Sequence, residues 1–197
     1  ELKEGDAWQI ELRRGYFVLR DGAVCAFRLP SSTPKKATIV ASHTDSPALK
    51  VKPQPDLQPH HIAQLGTEVY GAPLLHTWLD RDLCLAGQVV IESEGALQTR
   101  LVHLEEHPLT IPSIPPHLER TIGEKGLHIH KQDHLKPIFS IQPSAPTLAQ
   151  LLAKQLHVSE ILSADLFLVP MQPPSRLGLH QELLAGYRLD NLSSAFA

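Results

Sequence analysis

The sequence predicts an α/β domain that is interrupted by a β-rich insertion. Two short apolar runs, TIVAS at residues 38–42 and ADLFLVP at residues 164–170, have the length and composition of buried strands. The region between them is rich in proline and histidine and contains short β-like runs broken by turn residues. The last residues, AGYRLDNLSSAFA, read as the start of a helix. A β-rich insertion within an α/β domain accounts best for this order.

The first element predicted within this arrangement is a β-hairpin. The runs YFVLR and AVCAFRL flank Asp21-Gly22, a dipeptide that favours a tight hairpin turn. In the insertion, GQVVIES and TRLVHL have the composition of strands, whereas TLAQLLAKQLHVS at residues 147–159 has apolar residues at helical spacing. We therefore assign residues 1–50 and 171–197 to the α/β domain and residues 51–170 to the insertion.

Composition limits the classes of protein to which the chain can belong. With 197 residues, 42% of them hydrophobic, it is long enough for one core with an inserted subdomain. A net charge of −3 predicts no nucleic-acid partner, and no apolar run is long enough to predict a membrane span. The two cysteines, Cys25 and Cys84, lie in apolar settings. They predict buried free thiols, as in a protein of the reducing cytoplasm.

His43 and Asp45 follow the predicted strand TIVAS in the sequence HTD. In an extended segment, residues two positions apart point to the same face, so both side chains would project from the carboxyl end of this strand. Open α/β sheets bind ligands at that end. A neutral imidazole is a common metal ligand, and a nearby carboxylate can orient its ring. The pattern indicates either a metal ligand with a supporting acid or a hydrogen-bonded His–Asp pair without a metal.

Three charged residues lie in the otherwise apolar segment HTWLDRDLCLAGQV. Asp80, Arg81 and Asp82 would be costly to bury unless they were paired. We therefore expect a structural ion-pair network that shapes the wall of a site.

The other candidate site residues are Asp190 and His117. Asp190 and Asn191 precede a run of small residues that reads as a helix, where they could act in a site or cap the helix. Most of the twelve histidines lie between residues 60 and 134, too many for all of them to be ligands. Several of these histidines lie in polar segments that we expect at the surface. The remaining candidate is His117, which follows a proline-rich stretch in IPPHLERT.

The chain contains four long motifs in order: ASHTDSPALKVKP, GTEVYGAPLLHTWLDRDLCLAGQV, IPSIPPHLERTIGEKG and AGYRLDNLSSAFA. Together these motifs resemble those of the M18 metallo-aminopeptidases, which include the aspartyl aminopeptidases. The resemblance extends from the first hairpin to the last residue. It implies a di-zinc peptidase-type α/β catalytic domain interrupted by a β-rich dimerisation insertion.

The resemblance also implies a role for each candidate residue. His43 aligns with the first zinc ligand, and Asp45 aligns with the catalytic acid that steadies the environment of that ligand. Asp190 aligns with an aspartate that bridges two metal ions, and its bond to Asn191 is a candidate cis peptide. His117 aligns with a histidine tied to the active site. It could be a metal ligand, but we expect it to contact substrate across a subunit interface.

The implied function is that of a zinc-dependent aminopeptidase that removes N-terminal residues, acidic ones included, by means of metal-activated water. Two zinc ions (Zn2+) are expected in the complete site, which Mn2+ or Co2+ could also occupy. The expected partners are peptide substrates and further copies of the chain in a homo-oligomer built from dimers, and the expected location is cytoplasmic. A related di-zinc deacylase or carboxypeptidase would share the HxD pattern but not the long WLDRDL segment.

The chain departs from the family pattern at its end. In the family, a Glu-Glu pair that supplies the general base and a metal ligand follows the Asp-Asn motif, and a C-terminal histidine ligand comes later. Here six residues follow Asn191, and Glu105-Glu106 lies in the inserted region, where we interpret it as a solvated turn. We therefore expect this chain to be the N-terminal half of such an enzyme and inactive alone. The alternative is a catalytically dead assembly or binding module.

Overall fold

The structure of the protein, a computed structural model, is described for residues 1–20 and 22–196. The chain divides into two compact units, of which the first contains Glu1–Ser46 and Arg188–Ala197 and the second contains Pro47–Tyr187. The predicted division into a catalytic domain and a dimerisation insertion concerns function and stays a prediction. In the described residues, no helix is long and apolar enough to cross a lipid bilayer.

An antiparallel hairpin lies near the start of the first unit. Strand β1 (Gly15–Arg20) pairs with strand β2 (Ala23–Arg28), which confirms the predicted hairpin. Tyr16 and Phe27 are direct partners across the two strands, and their ring centroids lie 5.6 Å apart. Such a cross-strand aromatic pair stabilises this register. Asp21 of the predicted Asp-Gly turn lies outside the described residues.

Two expectations about burial in this unit are wrong. The predicted strand TIVAS is not formed, and the side chains of Ile39 and Val40 are 86% and 91% exposed. A strand needs a neighbour that pairs with its backbone N–H and C=O groups, and none of the described residues pairs with residues 38–42. Both cysteines are free thiols, but only Cys84 is buried, because Cys25 lies on the exposed hairpin.

A six-stranded antiparallel sheet forms most of the second unit. Its strands are β3 (Ala48–Leu57), β4 (Ala63–Tyr70), β5 (Leu83–Ser93), β6 (Ala96–Leu109), β7 (Ile138–Ser140) and β8 (Ser163–Pro170). They lie in the order β6-β5-β8-β3-β4-β7, and they contain the predicted runs GQVVIES, TRLVHL and ADLFLVP. Leu85 of β5 lies between Leu104 of β6 and Leu168 of β8, and all three are at most 2% exposed. One face of the sheet therefore forms the core.

Helices and turns complete the second unit. They are short 3-10 helices at Pro59–His61 and Leu75–Trp78, the helices α1 (Ile122–Lys125) and α2 (Leu148–Leu156), and a hairpin of β9 (Ser175–Leu177) and β10 (Leu183–Ala185). The predicted helix is confirmed in α2, whose first turn is held by a capping box between Thr147 and Gln150. Leu148 and Leu152 of α2 belong to the hydrophobic core, so this helix covers the buried face of the sheet.

Two expectations about charged residues in the second unit are also wrong. Among the described residues, no ion pair involves Asp80, Arg81 or Asp82, because the two aspartates are exposed and do not need a buried partner. The Asp80 carboxylate instead accepts hydrogen bonds from the main-chain N–H (2.8 Å) and the hydroxyl of Ser113, which lower its pKa. Glu105-Glu106 is exposed as expected, but it lies within β6 rather than in a turn.

The chain returns to the first unit in helix α3 (Leu189–Phe196). Asp190 lies within these bounds but has extended backbone angles (φ −87°, ψ 108°), so the regular helix follows it. The peptide bond between Asp190 and Asn191 is cis, as predicted.

Candidate metal centre

The segment that contains His43 and Asp45 forms one side of the candidate site. Nδ1–H of His43 donates to the Asp45 carboxylate at 2.9 Å and to the Asp45 main-chain carbonyl at 3.0 Å. Two oxygen acceptors at Nδ1 place the proton there, so the lone pair is on Nε2. A histidine oriented in this way by a carboxylate is prepared to bind a metal through its other nitrogen. The predicted contact between the two side chains is therefore present, although no strand precedes it.

Residues 188–191 form the other side of the candidate site. They lie against residues 43–46 of the same unit, although the contacting residues are 144 to 148 positions apart in the sequence. Three side-chain contacts join the segments: Arg188 Nη2 to the Thr44 carbonyl (3.0 Å), Ser46 Oγ to the Asp190 carbonyl (2.7 Å), and Asn191 Nδ2 to the His43 ring at Nε2. The fold thus brings the HTD and DN motifs together.

The donor groups at this place suit zinc in type but are too few for a whole site. Imidazole nitrogen and carboxylate oxygen are both usual zinc ligands, and three or four protein ligands are normal. Within the described part of the chain, no group of three or more His, Cys, Asp or Glu residues could hold a metal ion. The Asn191 amide stands against Nε2 of His43, where the metal would bind, so this amide would have to move. The donor types therefore suit zinc, but the described residues alone do not complete a zinc site.

His117 belongs to the second unit, where it lies on an exposed turn. The main-chain N–H groups of Leu118 and Glu119 both donate to the Pro115 carbonyl and so form this turn. The exposed position leaves the imidazole accessible from solvent. Its assignment to the active site stays a prediction.

Sequence reasoning missed two residues that join the segments, Ser46 and Arg188. Both lie inside motifs that carry the family resemblance, in HTDSP and in YRLDN. The signal that could have identified Ser46 is its place between Asp45 and Pro47, since a small hydroxyl residue beside a candidate ligand can bond to main chain. No local signal indicates which distant carbonyl it would reach.

Comparison with known proteins shows to which family the chain belongs. The family model described as "Aminopeptidase I zinc metalloprotease (M18)" matches residues 1–197. The chain belongs to the M18 family. The resemblance drawn from the four motifs is therefore confirmed, and the M18 family is one of zinc-dependent peptidases.

Curated relatives of this M18 chain include two bacterial proteins, each described as a probable M18 family aminopeptidase 2. The protein of Streptomyces avermitilis is 40% identical over 205 residues, and that of Pseudomonas syringae pv. syringae is 41% identical over 208 residues. The alignments cover 100% of this chain but 46% and 48% of the relatives. The M18 chain thus spans about half the length of the curated relatives it matches.

Solved structures confirm the predicted α/β fold class of this M18 chain. "Cryo-EM structure of the Ape4 and Nbr1 complex" contains a chain that matches with a TM-score of 0.83 and 28% identity, over 99% of this chain and 42% of that one. "Crystal structure of prApe1" matches with a TM-score of 0.81 and 26% identity, over 98% of this chain and 46% of that one. Both matches extend over almost all of this chain.

Proposed function

We propose that this M18 chain is part of a zinc-dependent aminopeptidase that removes N-terminal residues from peptides. The observation that carries the proposal is the contact between the HTD and DN motifs, because it joins a carboxylate-oriented histidine to the segment of Asp190. A structural His–Asp pair would need no such partner segment. The match to a zinc metalloprotease family over residues 1–197 supports the same chemistry.

In this proposal, each residue of the candidate site has a distinct task. His43 binds the metal through Nε2, while Asp45 holds the ring and keeps the proton on Nδ1. Asp190 would supply a carboxylate ligand for the metal ions. A bound pair of zinc ions would supply a water with a lowered pKa and a polarised scissile carbonyl. We do not assign Glu105-Glu106 as the general base, because this pair precedes the Asp-Asn motif in the sequence, whereas the catalytic pair of the family follows it.

The proposed substrates are peptides with a free N-terminal residue, including an acidic one. The acidic preference rests on the resemblance to aspartyl aminopeptidases. It can be measured by comparing hydrolysis of an aspartyl and a leucyl anilide by the complete gene product. Faster release from the aspartyl substrate is expected, and a preference for the leucyl substrate would contradict the acidic assignment.

We further propose a cytoplasmic homo-oligomer built from dimers, in which His117 contacts substrate in a neighbouring subunit. Edge strand β6 supports the association, because Leu97 and Leu101 are 72% and 84% exposed on it. An exposed apolar edge of a sheet favours pairing with another chain. Size-exclusion chromatography with multi-angle light scattering of the complete gene product should give dimers or multiples of dimers, and a monomer at micromolar concentration would contradict the proposal.

The experiment that tests the function is the replacement of His43 in the complete gene product. His43→Ala should abolish bound zinc, measured by elemental analysis, and anilide hydrolysis, because it removes the oriented Nε2 ligand. His128→Ala, which removes an exposed histidine of the other unit, is the matched control and should retain both. Zinc at wild-type stoichiometry in His43→Ala would refute the assignment. A wild-type protein without zinc and without hydrolysis would favour the assembly module instead.

A further inference from the structure

Ser46 has an unusual environment for a hydroxyl side chain. It is 9% exposed and is one of two buried polar residues in the part of the chain that the structure describes. A buried hydroxyl needs a hydrogen-bond partner, and Ser46 Oγ donates to the Asp190 carbonyl at 2.7 Å. The two residues are 144 positions apart and belong to the same compact unit. The partner is thus a distant residue of the candidate site rather than the local main chain.

The hydrogen bond from Ser46 to Asp190 joins the HTD motif to the DN motif. It ends on the main chain of the proposed bridging aspartate, one residue before Asn191, whose amide contacts His43. The other main-chain link comes from Arg188, which is long and exposed and therefore keeps more conformational freedom. Ser46 is short and buried, so its hydroxyl is the more rigid of these two links.

We infer that Ser46 is a positioning residue of the metal centre, whose hydroxyl holds the main chain of Asp190 and Asn191 against His43. The inference rests on the proposed function, because it concerns how the proposed ligands are held. Ser46 does not bind the metal or the substrate in this role. Residues that orient metal ligands in this indirect way typically change metal affinity by about 10- to 100-fold when they are replaced.

The test is a measurement of zinc affinity in the complete gene product by competition with a chelator. Ser46→Ala should weaken zinc binding by about 10-fold or more, as expected for the loss of an orienting hydrogen bond. Ser46→Cys should weaken it as well, because a thiol of similar size is a poor donor. Ser46→Thr keeps the hydroxyl and should restore much of the affinity. The visible spectrum of the cobalt-loaded protein should change in Ser46→Ala and Ser46→Cys, since it reports ligand geometry.

Ser193 provides a matched control for the loss of a hydroxyl. Its Oγ donates to the Leu189 carbonyl at 2.7 Å, the same kind of bond at the same length, but within helix α3. Because this bond does not join the two segments, Ser193→Ala should leave both the zinc affinity and the cobalt spectrum unchanged.

Two results would overturn the inference. One is wild-type zinc affinity in both Ser46→Ala and Ser46→Cys, and the other is a Ser46→Thr variant that binds zinc no better than Ser46→Ala. If Ser46→Ala does not fold, the comparison of the cysteine and threonine variants decides. Failure of the proposed function would give a different result. In that case the wild-type protein would bind no zinc, or the His43→Ala protein would bind zinc as the wild type does.

Discussion

Replacement of Gly87 with alanine should strongly destabilise the second unit. Gly87 lies on β5 and pairs with Leu166 of β8, where the two strands approach closely. A Cβ atom at this position would lie 2.1 Å from the Asp165 carbonyl oxygen and 3.0 Å from the Leu166 Cα. Both are main-chain atoms of a central strand, so neither can rotate away. Gly87 also has φ of +154°, which L side chains rarely adopt.

The expected cost follows from these two effects. Forcing extra volume into a packed region costs about 2 kcal/mol, and an unfavourable backbone region costs about 2 kcal/mol more. The sum of about 4 kcal/mol is a large part of the total stability of a domain. For an unfolding unit of about the size of the second unit, it corresponds to a fall of about 12 °C in the Tm of that unit.

Thermal unfolding of the complete gene product, followed by circular dichroism, tests this estimate. Gly123→Ala is the control, because a Cβ there meets no atom within 4 Å and the residue lies in helix α1. Alanine in a helix should raise the stability by about 0.5 to 1 kcal/mol. One kcal/mol of unfolding free energy corresponds to a change in Tm of about 3 °C. If the Tm of Gly87→Ala lies within about 2 °C of the Tm of Gly123→Ala, the close approach of β5 and β8 is refuted.

The remaining predictions concern the candidate site and one surface carboxylate. Asp190→Asn should lose the paired metals in elemental analysis while the circular dichroism spectrum is retained, and wild-type metal content would contradict its bridging role. His117→Ala should retain its metal and its assembly but lose most of its turnover, whereas loss of metal would make His117 a ligand. Hydrogen bonds from Ser113 lower the pKa of Asp80 from its ordinary value of 3.8. Ionised Asp80 therefore stabilises the folded protein above this pH, and the stabilisation is lost as the pH falls through the lower pKa of the folded state. Asp80→Asn should therefore reduce the dependence of Tm on pH below about pH 4, and an unchanged dependence would exclude the contribution.

Elements with strong local signals were predicted well. Helix α2 was expected from apolar spacing, and its Thr147–Gln150 capping box is a pattern of neighbouring residues. The first hairpin was expected from the Asp-Gly turn between two β-like runs, and β1 and β2 pair as expected. In each case the interactions that stabilise the element lie within one short continuous segment, so composition and spacing suffice to predict them.

Two of the wrong predictions concern segments whose structure depends on distant partners. TIVAS has the composition of a buried strand, but a strand requires a neighbour, and Ile39 and Val40 are exposed without one among the described residues. Asp80 and Arg81 were expected to pair because their neighbours are apolar, whereas Asp80 is exposed and bonds to Ser113, 33 residues away. Composition indicates what a segment can do, but burial depends on what the rest of the chain places beside it.

The sequence by itself determined the family and the local half of the candidate site. The four ordered motifs indicated M18, and the spacing of His43 and Asp45 indicated their contact, since residues two positions apart can reach each other without help from the fold. Only the tertiary structure decided that Ser46 bonds to Asp190 and that Asn191 contacts His43. These partners are 144 and 148 residues apart, and their meeting depends on how the chain between them folds rather than on the preference of any single segment.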